Sequence, residues 1–212
     1  MDTLSLIGIV FFAAFAGGIP PGLVNMAVAK TVLEKNKRNG YYSAAGVCTV
    51  NFLHALVSVI LGKYIVKHAT IQTNILKLGV LIFAVLAIYF LWVAKKNKPH
   101  VTRRVKFSSK DSRKSFGKGF FIANLNILPI PYFVLISTQL ADTVGGDYDV
   151  LHILLFSLSA AAGTFSILHL YIQAFLRLGK KTEVLATYAN YFMSALMFLL
   201  FLITLLRVYY AG

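Results

Sequence analysis

Acidic residues are scarce in this chain of 212 residues, which has 7 Asp and Glu against 21 Lys and Arg. Hydrophobic residues make up 58% of it and form six long stretches without any charged side chain. Every acid lies outside those stretches: Asp2, Glu34, Asp111, Asp142, Asp147, Asp149 and Glu183. Because divalent cations prefer carboxylate oxygens, the sequence argues against a selective divalent-cation carrier. A carrier of solutes with a free cationic side chain would also need at least one negative group, and the apolar stretches supply none.

Cysteine is represented by Cys48 alone, so neither a disulfide nor a Cys-x-x-Cys pair can form within the chain. The G-x-S-x-G, H-E-x-x-H and P-loop patterns are absent as well. Gly17, Gly18 and Gly22 are too irregularly spaced for a phosphate cradle and favour close packing or a helix break. We therefore expect a protein that is not an enzyme, with no catalytic residue, metal or cofactor.

The six charge-free stretches each approach the ~20 apolar residues that a spanning helix needs. They are Leu4–Ala29, Asn39–Gly62, Leu78–Ala94, Gly119–Ala141, Val150–Leu176 and Val184–Leu206. Together they take up most of the chain, which leaves no room for a soluble domain. The predicted fold class is an all-α integral membrane protein with six transmembrane helices.

The basic residues are concentrated in three of the predicted loops, and ten of them lie in the segment 95–118. The positive-inside rule places these loops in the cytoplasm and both termini outside the inner (cytoplasmic) membrane. The segment 95–118 can also contact anionic lipid, whereas a nucleic-acid site would need more stacking aromatics than Phe107 and Phe116. The start of the chain has no basic region and no obvious cleavage site, so the first span is structural rather than a signal peptide.

Two of the predicted spans are broken by proline, at equivalent points in the two halves of the chain. Pro20 and Pro21 interrupt the first span, and Pro129 and Pro131 interrupt the fourth. At an offset of 109 residues, Phe11, Phe12, Ala14 and Pro20 align with Phe120, Phe121, Ala123 and Pro129. A broken helix leaves backbone groups that lipid cannot solvate, so such breaks line cavities, and a matched pair indicates a transporter's binding site.

Three helices in each half make any internal repeat inverted, because the second half enters the membrane from the opposite side. The predicted organisation is a first repeat at 1–94, a basic cytoplasmic loop at 95–116 and a second repeat at 117–212.

Polar stripes on the second and fifth spans support the repeat. Asn51, His54 and Ser58 share one face of the second span at positions i, i+3 and i+7. Ser166, His169 and Gln173 do the same on the fifth, at an offset of 115 residues. Ser, Thr, Asn and Gln in membrane helices commonly form hydrogen bonds to neighbouring helices. Two intramembrane histidines at equivalent positions instead indicate a functional role.

The pattern of both halves resembles the LysE/RhtB family of amino-acid exporters. The first half carries Pro20-Pro21-Gly22-Leu23-Val24-Asn25, a basic turn at 35–38, Gly40, Ala44-Ala45-Gly46, Asn51 and His54-Ala55-Leu56. The second half carries Phe116-Gly117-Lys118-Gly119-Phe120, then Asn124-Leu125-Asn126 and Pro129. The resemblance implies export of amino acids or close relatives, energised by an ion gradient.

Two positions depart from that family. The proline-glycine-proline turn is replaced by Pro20-Pro21-Gly22, and the usual aspartate of the second helix is Asn51. An asparagine exchanges no proton near neutral pH. Any coupling of transport to protons must therefore use His54 or His169, or the coupling must be of a different kind.

The function predicted from the sequence is export of a small zwitterion. Amides at the start of the half-helix after Gly22 would bind its carboxylate, and carbonyls freed by the prolines would receive its ammonium group. The predicted substrate-binding residues are Pro20, Pro21, Gly22, Asn25, Asn51, His54, Asn124, Asn126, Pro129, Pro131, Ser166, His169 and Gln173. The alternatives are a carrier of another small solute or ion, and a non-transporting scaffold that acts through its basic loop. A homo-oligomer is compatible with the small residues of the third span.

Overall fold

The structure, a computed structural model, describes residues 3–19, 22–66, 112–141 and 148–178, with scattered residues from 80 to 95 and from 191 to 206. The described ranges contain helices and no strand, which confirms the all-helical prediction. The helices are α1 (Thr3–Gly17), α2 (Leu23–Glu34), α3 (Lys37–Val66), α4 (Ser112–Asn124), α5 (Pro129–Ala141) and α6 (Val150–Leu178).

Two of these helices are long and apolar enough to cross a membrane. They are α3, with 30 residues, and the 28 residues Val150–Arg177 of α6, which coincide with the second and fifth predicted spans. A third candidate span is formed by α4 and α5 together, bent by 67° at their junction, and α1 is a shorter apolar helix. The third and sixth predicted spans lie largely outside the described residues, so the six-span arrangement stays a prediction.

Both predicted breaks separate two helices in the described chain. α1 ends at Gly17 and α2 begins at Leu23, with the extended backbone of Gly22 at the N-cap position. Pro20 and Pro21 lie outside the described residues. In the second half, α5 begins at Pro129, so Pro129 and Pro131 occupy its first turn. Amides of a first turn have no partner within their own helix, so both prolines start α5 without removing a hydrogen bond from it.

The start of α6 is fixed by Asp149, which is the residue before its first turn. Asp149 Oδ1 accepts a hydrogen bond from the backbone N–H of His152 at 2.7 Å and lies 2.8 Å from His152 Nδ1. These bonds to the carboxylate, with the backbone bond first, hold the pKa of Asp149 below its usual value. The capping contribution is therefore complete above the usual aspartate pKa and is lost as the pH falls through the lowered one.

The six helices belong to one compact unit, Met1–Val66 with Arg104–Lys180. One hydrophobic cluster joins α1, α3, α5 and α6 around Val10, Val59, Phe133 and Phe156. Another joins α2, α3, α4 and α6 around residues such as Val28 and Leu168. A second unit comprises Lys67–Arg103 and Lys181–Gly212, and within it Ser194 Oγ donates to Ala87 O at 2.9 Å. These two units are defined by contacts, whereas the predicted repeats are defined by the similarity of the two halves of the sequence. The predicted repeat boundaries therefore stay a prediction.

The contacts fix how the helices of the first unit run. Tyr41 of α3 lies beside His169 of α6, whereas Asn51, further along α3, bonds the earlier Thr164, so α3 and α6 are antiparallel. α4 and α5 run parallel to α3, since Ser115 contacts Asn39 and Ile130 contacts Ser58. α1 in turn runs parallel to α6, because residue 163 lies against Phe11 and residue 171 against Ile19.

Three glycines allow these helices to cross closely. A Cβ on Gly46 would meet the backbone of Phe116 and Phe120, and one on Gly163 would meet the backbone of α1 at Phe11. Gly119 faces the backbone of Ser43, whose carbonyl carbon would lie 2.8 Å from an added Cβ. Real Cβ atoms do not approach a backbone so closely, so the crossings of α3 with α4 and of α6 with α1 both depend on glycine.

We expect the substitution Gly119→Ala to destabilise the protein by about 1–3 kcal/mol, because α4 must move away from the backbone of Ser43. The control is Gly117→Ala, two residues away on α4, where an added Cβ meets nothing within 4 Å. Unfolding in detergent can be followed with a thiol-reactive dye, since Cys48 is the single cysteine. Equal midpoints for the two variants would contradict the close crossing.

Candidate functional site

The backbone carbonyls around the first break accept hydrogen bonds from three different helices. Asn25 Nδ2 of α2 donates to Gly18 O at 2.7 Å, and Tyr171 Oη of α6 donates to Ile19 O at 2.6 Å. Tyr132 Oη of α5 donates to Ala13 O at 2.8 Å, in the last turns of α1. The interrupted backbone is therefore satisfied by side chains, as a segment inside a membrane requires.

Beside the second break, α3 bonds the first turn of α5. Ser58 Oγ lies 3.0 Å from Ile130 O in the first turn of α5, and 2.6 Å from the carbonyl of His54 in its own helix. Ser137 Oγ reaches back to Ser58 O at 3.4 Å, so α3 and α5 are bonded in both directions. Asn126 lies in the turn itself, where its backbone N–H donates to Ala123 O at 3.0 Å.

Each polar stripe bonds the opposite helix, and the two contacts lie at different levels. Asn51 Nδ2 donates to Thr164 Oγ1 at one level. At the other, Tyr41 Oη lies 2.9 Å from His169 Nδ1 and accepts a hydrogen bond from Gln173 Nε2 at 3.3 Å. Tyr41 and Asn51 are ten positions apart, which separates the two levels by about 15 Å along α3. Tyr41, His169 and Gln173 are called the Tyr41 cluster below.

Several predicted site residues bond neither break nor the opposite stripe. Asn124 is exposed and donates to Phe120 O of its own helix at 3.3 Å, and Ser166 Oγ donates to Ala162 O at 2.9 Å. His54 is half-buried, and its ring forms no hydrogen bond with the residues that the structure describes. Gly22 ends the first break as the N-cap of α2. The structure therefore brings Asn25 to the first break, and it brings Asn51, His169 and Gln173 to contacts between α3 and α6, while a substrate site at these residues stays a prediction.

Three tyrosines that the sequence analysis overlooked form much of this arrangement. Tyr41 joins the two stripes, and Tyr132 and Tyr171 bond the carbonyls of α1 and of the first break. The available signal was a tyrosine hydroxyl inside an apolar stretch, because lipid offers it no partner.

No carboxylate occurs in the centre of this arrangement. The acids within the described ranges are Glu34, at the end of α2, and Asp149, before α6. Among the same residues, no group of three or more His, Cys, Asp and Glu could hold a metal ion. The chemistry on offer is therefore neutral, with amide, hydroxyl and imidazole groups beside backbone dipoles.

Long apolar helices, with an interrupted backbone that is bonded by side chains, are typical of an integral membrane protein. The chain belongs to the LysE type translocator family, whose model matches residues 15–208. Neither the curated proteins nor the solved structures gave a significant match. Members of this family carry small solutes across membranes and are not enzymes, which agrees with the prediction made from the sequence.

We expect Tyr171→Phe to destabilise the protein by about 1 kcal/mol or more, because Ile19 O loses its donor at the first break. The matched control is Tyr42→Phe, since the Tyr42 side chain is exposed and its ring keeps the contact with Arg38. The midpoint of thermal unfolding in detergent measures both. A Tyr171→Phe midpoint equal to that of Tyr42→Phe would show that the bond contributes nothing.

Proposed function

We propose that the chain is a secondary transporter that exports small zwitterionic solutes of the amino-acid type across the cytoplasmic membrane. Membership of the LysE type translocator family supports transport. The observation that carries the substrate class is the first break, where the start of α2 lies beside carbonyls bonded by Asn25 and Tyr171. The first amides of α2 suit a carboxylate, and the neighbouring carbonyl oxygens suit an ammonium group.

Six spans in two inverted repeats are part of the proposal. α3 and α6, which occupy equivalent places in the two repeats, run antiparallel. The broken pair α4–α5 packs along α3, and α1 packs along α6, so each long helix supports a broken helix of the opposite repeat. Both termini then lie outside and the basic turns lie in the cytoplasm.

Alternating access would rock the first repeat, with α1–α2 and α3, against the second, with α4–α5 and α6. The contacts between the repeats include Asn51 with Thr164, Tyr41 with His169, and Tyr132 with the carbonyl of Ala13. The first two are made by side chains alone, so they can break and form again without unfolding a helix. The substrate would bind between the repeats, at the level of the breaks.

Within this proposal, His169 couples transport to protons. Gln173 donates to Tyr41 Oη, which leaves the tyrosine proton for His169 Nδ1. A proton bound at Nδ1 would turn that acceptor into a donor, so the Tyr41 hydroxyl would have to reverse its hydrogen bond and proton binding would change the contact between α3 and α6. His169 thereby takes the part that Asn51 cannot play.

The test is metabolite profiling of the medium of overexpressing cells at several external pH values. We expect accumulation of neutral amino-acid-like compounds. We expect His169→Gln to lower their export roughly tenfold and to flatten its pH dependence, because a glutamine side chain does not take up a proton near neutral pH. The control is His152→Gln at the start of α6, which leaves the Tyr41 cluster intact. Unchanged export and pH dependence in His169→Gln would refute the coupling role.

The same experiment decides between export and the alternatives. If a different solute or an ion accumulates in the medium, the proposed substrate class is wrong but the protein is still a transporter. A scaffold would instead tolerate His54→Gln and His169→Gln and lose its function when the basic residues of 95–118 are neutralised.

A further inference from the structure

Tyr132 connects the two breaks directly. It lies in the first turn of α5, where its backbone N–H donates to Leu128 O of the second break at 3.4 Å. Its hydroxyl donates to Ala13 O at 2.8 Å, one turn before α1 ends at Gly17. The ring is half-buried and packs against the hydrophobic cluster that joins α1, α3, α5 and α6. The position of this side chain is therefore fixed from both breaks.

The two breaks differ in what they offer to an anion. Two of the first four residues of α5 are prolines without an N–H, and the N–H groups of the other two, Ile130 and Tyr132, already bond carbonyls of the turn at 3.0 and 3.4 Å. The first turn of α5 therefore keeps no amide for a carboxylate. The first turn of α2 contains no proline, and amides of a first turn have no partner within their own helix. A substrate carboxylate is thus directed to the first break.

An opening lies beside the first break, on the side of α1 that faces the other helices. Leu6 and Val10 on this side are 1% and 0% exposed, whereas Gly17 is exposed although it follows Val10 by seven residues on the same side. The space next to Gly18 is already filled, because a Cβ there would lie 2.5 Å from Cγ2 of Ile167 on α6. The exposed surface at Gly17 is called the Gly17 opening below.

The ring of Tyr132 borders the Gly17 opening. A Cβ on Gly17 would lie 3.3 Å from Cε1, 3.4 Å from Cζ and 3.5 Å from Oη of Tyr132, so the missing side chain leaves this part of the ring uncovered. The proton of the tyrosine hydroxyl is committed to Ala13 O. The ring therefore presents an apolar surface to the Gly17 opening, without a free hydrogen-bond donor.

We infer that Tyr132 is a specificity-determining residue, whose ring limits the size of the substrate side chain. A zwitterion with its carboxylate at the start of α2 and its ammonium group at the carbonyls of the first break has the Gly17 opening beside it for its side chain. The apolar ring favours an apolar side chain, and its position against Gly17 favours a short one. The substrates are thus amino acids with short apolar side chains. This inference rests on the proposed export function and narrows its substrate class.

The test is exchange of radiolabelled amino acids by the purified full chain in liposomes, which requires no ion gradient. We expect the unsubstituted protein to exchange alanine about tenfold faster than phenylalanine, because the ring leaves no room for a large side chain. We expect Tyr132→Ala to raise the ratio of phenylalanine to alanine exchange about tenfold, since it removes the ring. Gly17→Ala should instead lower the ratio of leucine to alanine exchange several-fold, because its methyl group enters the Gly17 opening.

Two control variants separate specificity from a structural role. Tyr132→Phe keeps the ring but loses the bond to Ala13 O, so we expect a lower midpoint of thermal unfolding with unchanged exchange ratios. Phe12→Ala removes a ring from the outer side of α1, where Phe12 is 68% exposed, and should leave the ratios unchanged as well. A residue that only supports the fold would change the unfolding midpoint and the total rate, but not the preference among amino acids.

The outcomes distinguish this inference from the proposed function. If the unsubstituted protein exchanges no amino acid, the proposed function is wrong and the inference is wrong with it. If amino acids are exchanged but phenylalanine is preferred to alanine, or if a folded Tyr132→Ala or Gly17→Ala variant keeps the original ratios, the function stands and the inference alone is overturned. Gly17→Ala decides the question by itself if thermal unfolding shows that Tyr132→Ala does not fold.

Discussion

The constraint on which this structure depends is the satisfaction of backbone carbonyls and amides in a chain built for a membrane. Each group left unpaired in hydrocarbon costs several kcal/mol, so a chain that interrupts a helix there must supply partners from elsewhere. At the first break the partners are Asn25, seven residues along the chain, and Tyr171, 152 residues along it. Tyr132 bonds the preceding turn in the same way. Side chains of three helices therefore bond the backbone that leads into the break.

The same requirement explains the close crossings of the helices. Tyr171 reaches Ile19 only if α1 lies tightly along α6, and a side chain at residue 163 would prevent that approach. On the other side, Gly46 and Gly119 bring α4 against α3, and Ser58 can then bond the start of α5. Small residues at the crossings and polar residues at the breaks thus act together, since neither helps without the other.

The sequence predicted these features unequally. The long spans α3 and α6 and the positions of both breaks followed from hydropathy and proline, because both properties are local. Periodicity also indicated which face of α3 carries Asn51 and Ser58, but not that Asn51 bonds α6 while Ser58 bonds α5. Partners across helices depend on how each helix is rotated, which depends on packing over the whole unit. Tyr41, Tyr132 and Tyr171 were overlooked for that reason, since an isolated tyrosine forms no pattern.

The distribution of charge among the described residues bears on which solutes the proposed transporter could carry. Among the described residues, the side chains that bond the first break and join α3 to α6 are amides, hydroxyls and an imidazole. A solute with net charge would meet no opposite charge there, and amide and hydroxyl dipoles alone replace its hydration poorly. A zwitterion carries its own counter-charge. Its two ends need only oriented amides and carbonyls, which an interrupted helix presents in opposite directions. Among the described residues, the amide and hydroxyl groups at these contacts support the proposal that the substrates carry no net charge, with a histidine as the group that would carry a proton.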